Sequence, residues 1–137
     1  MELAVAKKME RLASQNTFDD VLQDFRYYDD PSDQFKDTEG SLLPLWRLTY
    51  EKARKRTVTC MQWSPHYDDL LYVGYGSYDF AKQLGGLICV YSLKQPSYPE
   101  YVVTAPQGIM ALSVHPEHPS VLAVGMYNGD VAVYDLT

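Results

Sequence analysis

His66, His115 and His118 are the first residues whose type could do chemistry. His115-Pro-Glu-His118 offers two imidazoles, but a zinc site needs three or four ligands and none of the remaining donors stands at a suitable spacing. The run reads as an ordinary turn. The acidic stretch from Asp29 resembles a calcium loop only in charge. Its sixth residue is Gln34 where that loop needs Gly, and its twelfth is Gly40 where it needs a bidentate Glu. Gly74-Tyr-Gly76 and Gly85-Gly86 precede neither a Lys-Ser/Thr pair nor a helix, so they do not cradle phosphate. Ser64, Ser77 and Ser113 sit outside any G-x-S-x-G elbow. Cys60 and Cys89 form no CxxC pair and no disulfide framework, which suits a reducing compartment. Both fall in strand-like runs and are expected to be buried, inert thiols. These residues support neither catalysis nor a metal or cofactor site.

Binding chemistry is better represented. Lys52, Arg54, Lys55 and Arg56 form a basic cluster fit for an acidic partner, although such a cluster is also what a solvated loop carries. Tyr75, Tyr78, Phe80, Tyr98 and Tyr101 gather, with Tyr72, around one glycine-rich stretch and the segment after it. Aromatics are enriched at interfaces and are also ordinary strand residues. These nine residues, Tyr72 aside, are the candidate protein contacts. The net charge of −6 lies wholly between Thr17 and Gly40, where eight acids face two bases. That argues against nucleic acid as a partner, because phosphate binding needs positive surface.

Three regions must position these groups. Residues 1–27 read as a helical leader. Val5, Met9 and Leu12 make a narrow stripe, Asn16-Thr17 offers a stop and restart, and Phe18, Val21, Leu22 and Phe25 share a second helical face. So short a leader cannot build its own core, and its stripe is expected to dock elsewhere. Residues 28–43 read as an acidic linker. Residues 44–137 are β-rich, and 46% hydrophobic residues overall suffice for a core. The N-terminus lacks a secretory pattern, and no apolar stretch approaches the roughly 20 residues of a membrane span.

The β-rich region repeats itself. Val58–Gly74 aligns without gaps on Ile109–Gly125 at an offset of 51, bringing Pro65 onto Pro116 and Leu71 onto Leu122. Gly86–Leu93 aligns on Gly129–Leu136 at an offset of 43. The difference is an eight-residue insertion between Tyr75 and Gly85. The remaining period of 43 falls within the roughly 40–45 residues of a WD-type propeller blade. Each copy predicts three strands: 58–63, 70–75 and 87–92, then 109–114, 121–126 and 130–135. Asn128-Gly129 is expected to close a tight hairpin with both residues at positive φ. Fourth strands are expected at 101–103 and, before the first copy, at 46–50. The fold class is therefore mainly β, a partial WD-type β-propeller of about two blades (58–103 and 109–137) behind a short helical segment.

Several runs resemble the axonemal dynein intermediate chains, a WD-repeat family, and most closely their outer-arm members. They are Gln15–Asp20, Phe25–Tyr28, Glu39–Trp46, Val73–Phe80 and Tyr91–Tyr101. Val73-Gly-Tyr-Gly-Ser-Tyr-Asp-Phe80 is the most specific, because it reaches into the insertion and is not a general blade feature. The resemblance implies a non-catalytic scaffold subunit of a ciliary or flagellar motor, located in the axoneme and the cytoplasm. Its implied partners are dynein heavy chains, a second intermediate chain, light chains and tubulin, without nucleic acid or membrane. A WD-repeat adaptor presenting substrates to a ubiquitin ligase is the competing class, since propellers host many roles. The chain stops after the third strand of the second copy, so on its own it is expected to be marginally stable or prone to aggregate.

Overall fold

A computed structural model describes residues 2–17, 46–79 and 81–137. The chain divides into two compact units, 1–47 and 48–137. In the first, α1 spans Glu2–Thr17, and Val5, Met9 and Leu12 are all exposed on it. The expected second helix and the acidic linker lie outside the described residues.

The second unit is mainly β. Seven strands form two antiparallel sheets. Sheet A runs in the order β1 (Thr57–Trp63), β2 (Leu70–Gly76), β3 (Gly86–Ser92), β4 (Tyr101–Ala105). Sheet B runs β5 (Ile109–Val114), β6 (Val121–Met126), β7 (Val131–Asp135). The strand expected at 46–50 is absent. Those residues take no regular structure and lead into a 3-10 turn at Glu51–Ala53. A strand needs a ladder partner for its peptide groups, and the described residues supply none there.

The internal repeat holds down to register. Trp63 pairs with Leu71 and Leu71 with Tyr91, just as Val114 pairs with Leu122 and Leu122 with Tyr134. The first ladder slips between Val58 and Cys60, and the second between the equivalent Ile109 and Ala111. The turns repeat as well. Ser64 Oγ accepts from the amides of His66 and Tyr67, and His115 Nδ1, at the equivalent position, accepts from Glu117 and His118. The hairpin after β6 differs from expectation. Only Gly129 has positive φ (91°), and Gly129 N–H donates to Met126 O while Met126 N–H donates to Asp130 O. It is a three-residue loop ending in a left-handed glycine, which relieves Asn128 of positive φ.

The sheets stack face to face. Tyr72, Ile88 and Val90 of sheet A share one core with Ile109, Val114, Leu122 and Val124 of sheet B. Hydrogen bonds staple the sheets: Thr59 Oγ1 to Ile109 O, Val114 N–H to Gln62 Oε1, and Tyr72 Oη to Pro119 O. The opposite face of sheet A (Val73, Tyr75, Leu87, Cys89, Tyr91) packs under Ala53, Leu48 and Tyr50. Repetition makes the stack directional. Sheet B turns towards sheet A the face that sheet A turns towards the 48–53 segment. Such stacking of like sheets is how successive propeller blades pack.

Candidate protein-contact site

The basic cluster sits on the 3-10 turn. Three backbone bonds close it: Ala53 N–H to Tyr50 O (3.0 Å), Arg54 N–H to Glu51 O (3.1 Å) and Arg56 N–H to Ala53 O (2.8 Å). Ala53, the one apolar residue in the cluster, is buried in the core over sheet A, so its neighbours are turned outward. Lys52, Arg54 and Lys55 are exposed and make no ion pair with a described residue. Arg56 is spent internally. Its Nε donates to Gly85 O at 2.7 Å and its Nη1 to Lys52 O at 2.5 Å, tying the turn to the connection between β2 and β3. It thereby braces the turn that presents the other three cations.

Beside the turn lies a cavity of about 510 Å³. Leu48, Tyr50, Ala53, Val58 and Tyr75 give it an apolar lining, with Glu51 and Arg54 also on its wall. Tyr75 is held in place by its hydroxyl, 3.0 Å from that of Tyr91 in the sheet core. Burial pushes both phenols above their ordinary values. Tyr98 stands edge-on to Tyr50, ring centres 5.5 Å apart at 89°, and its bond to the Tyr50 hydroxyl raises its own phenol. Arg54 and Tyr75 thus meet on the cavity wall, Tyr98 stands against the lining residue Tyr50, and Lys52 and Lys55 lie exposed on the same turn.

The remaining candidates do not join them. Tyr101 lies on the other face of sheet A, beside Tyr67, Tyr72 and Leu136 at a smaller cavity of about 210 Å³ between the sheets. Tyr78 is exposed, and its hydroxyl donates to Thr59 O at 3.2 Å. Phe80 lies outside the described residues. The lining residues Leu48, Tyr50 and Val58 escaped the sequence reading. Reading 46–50 and 58–63 as strands hid them, although the alternation of Trp46, Leu48 and Tyr50 with exposed Arg47 and Thr49 already marked the side that faces the sheet.

Other chemistry is arranged for structure. Burial raises both thiols, Cys89 to about 11; Cys89 is fully buried as expected, whereas Cys60 is only half-buried. Among the described residues no group of three metal-ligating side chains gathers, and no helix is long and apolar enough to cross a membrane. His66 Nδ1 lies 3.3 Å from Pro116 O, bridging the two sheets' turns.

No protein-family model matches the chain. Individual proteins do. It is 52% identical over 131 residues to "Dynein axonemal intermediate chain 1" of Mus musculus, covering 96% of this chain and 19% of that protein. It is 52% identical over 128 residues to "Dynein, 78 kDa intermediate chain, flagellar outer arm" of Chlamydomonas reinhardtii, covering 93% and 19%. Against "Dynein axonemal intermediate chain 4" of Xenopus laevis the identity is 36% over 139 residues, covering 93% and 19%. The chain thus spans about a fifth of the length of these relatives.

Proposed function

The chain belongs with the axonemal dynein intermediate chains, matching about a fifth of their length, and from that kinship we propose that it is a structural, non-catalytic subunit of the outer-arm dynein of cilia and flagella. Its place is the axoneme and the cytoplasm. Its partners are other dynein subunits: the heavy chains, a second intermediate chain and light chains, with tubulin as a further contact. The observation that carries the reading is identity above 50% along nearly the whole chain to proteins named for the axoneme and the flagellar outer arm.

The geometry supports a contact role. An apolar cavity beside a turn that exposes three cations, Arg54 of them on its wall, has the make-up of a protein interface, where an apolar anchor is ringed by polar groups. The expected role is to be held and to hold, through such surfaces, while the motor chemistry belongs to other subunits. The test is affinity purification of the tagged 137-residue chain from ciliated cells. Dynein heavy chains should co-purify with it. Recovery of soluble tagged chain without them, or with ubiquitin-ligase subunits in their place, would overturn the proposal.

A further inference from the structure

The cavity beside the 3-10 turn carries an inference about what it holds, and this rests on the reading of the chain as a contact subunit. We propose that it is a recognition pocket for an acidic peptide segment of a partner protein, with one aliphatic or aromatic side chain seated in the cavity and flanking carboxylates on Lys52, Arg54 and Lys55.

Size sets the first limit. About 510 Å³ exceeds one large side chain yet suits an anchor residue with part of its neighbours' backbone. The lining sets the second. Leu48, Tyr50, Ala53, Val58 and Tyr75 reward apolar burial, and the Tyr75 hydroxyl is already engaged by Tyr91, so the floor demands no polar partner from the ligand. Charge sets the third. Between Glu51 and Arg56 there are four bases and one acid, in a chain whose net charge is −6. Arg56 is committed to Lys52 O and Gly85 O, which leaves three cations facing solvent on one short turn. Three is few for nucleic acid, whose binding grows with the number of phosphates neutralised along an extended track. A protein segment with a few carboxylates around an apolar anchor matches both the number and the spread. The walls are also firm. Ala53 is pinned in the core, the turn is closed by its own backbone bonds, and Tyr50 is braced edge-on by Tyr98. A preformed pocket loses less entropy on binding.

The probe is a fluorescein-labelled peptide in which one leucine is flanked on each side by two glutamates, titrated against the 137-residue chain by fluorescence anisotropy. Binding is expected, and it should weaken as salt rises because the pairs are exposed. Paired Arg54→Glu and Lys55→Glu substitutions should lower affinity by roughly tenfold or more. Thr49→Trp, an exposed position on the lining, should block the cavity and reduce binding while leaving the charges in place. All of these positions are exposed, so an unchanged circular-dichroism melt verifies the fold. A peptide with glutamines for glutamates, or alanine for leucine, should bind at least roughly tenfold more weakly. Equal binding by the Thr49→Trp chain, equal binding of the glutamine peptide, or preference for a single-stranded oligonucleotide would each overturn the pocket. Failure of the peptide tests while heavy chains still co-purify would sink this pocket and leave the subunit reading intact.

Discussion

At the scale of single residues, the two repeats solve one problem with the same pair of groups exchanged. In the first, Ser92 Oγ donates to Asp69 Oδ2 at 2.9 Å. In the second, Ser120 and Asp135 occupy the equivalent places in reverse, and the hydrogen bonds of Asp135 to Thr137 and Ser120 hold its carboxyl below the usual range. A serine–carboxylate pair is thus tied across the β2–β3 and β6–β7 ladders whichever strand supplies which partner. Ser92→Asp alone sets two carboxylates together at a buried site and should cost about 3 kcal/mol. Adding Asp69→Ser should restore stability to within about 1 kcal/mol of the native chain, which a double-mutant cycle in urea would read directly. Aligning like with like missed this, because neither position matches itself between the copies.

Cys89 gives a second prediction at this scale. Burial holds its thiol near 11 in the fold, above its ordinary value near 9. A raised acid stabilises the fold below its unfolded pKa and loses that contribution as pH rises towards the folded one. The urea midpoint should therefore be flat with respect to Cys89 below about pH 8 and fall between about 9 and 11. Cys89→Ala should remove part of that slope. An identical slope in the variant would show that burial at Cys89 contributes nothing to it.

At the scale of elements, one contact sets how the sheets meet. Ile109, the first residue of β5, is fully buried against three glycines of sheet A. A Cβ on Gly74 would meet Cys60 Sγ at 2.5 Å and Ile109 Cγ2 at 2.9 Å, one on Gly86 would meet the Gln107 carbonyl oxygen first and Ile109 Cγ1 at 2.9 Å, and one on Gly76 would come within 2.6 Å of the Ile109 carbonyl oxygen. The glycines are needed for close approach, since all three take negative or extended φ. Gly86→Ala should cost about 1–3 kcal/mol by overpacking, with the loss seen in the thermal melt. Gly125, the counterpart of Gly74, meets only Ala111 at 3.6 Å, so Gly125→Ala should cost under about 1 kcal/mol. Equal losses at Gly86 and Gly125 would contradict the close approach of Gln107 and Ile109 to sheet A. The glycines were legible in the sequence as strand ends. Their purpose was not, because the isoleucine they receive is 23 or more residues away.

At the scale of the whole molecule, the directional stack leaves one face unmatched. The face of sheet A that carries Tyr72, Ile88 and Val90 is covered by sheet B. Its counterpart on sheet B carries Ala123, Val131 and Val133, and the two valines are 74% and 68% exposed. Among the described residues β7 also has no strand on its outer edge, whereas β3 is covered by β4. An apolar face beside a free edge invites pairing with another copy. Sedimentation velocity of the 137-residue chain should show association that grows towards about 100 µM. Val131→Lys with Val133→Lys should shift it to monomer without lowering the melt. A native chain that stays monomeric throughout would refute the prediction.

The sequence by itself determined the strands of the two sheets, though not the fate of 46–50, together with the two copies and their period, because alternation and self-similarity are properties of local order along the chain. It determined the kinship too, through runs too specific for a general blade. Tertiary structure alone decided which candidate contacts share a surface. Tyr75 and Tyr101 look alike in the sequence, yet an even or odd place in the ladder register sends them to opposite faces of sheet A. Arg56 looks like its three basic neighbours, yet its reach to Gly85 turns it into a brace. The cavity itself joins residues 48–58 to Tyr75; the alternation of Leu48 and Tyr50 shows which side of that segment is apolar, and only its packing over sheet A shows what that side meets.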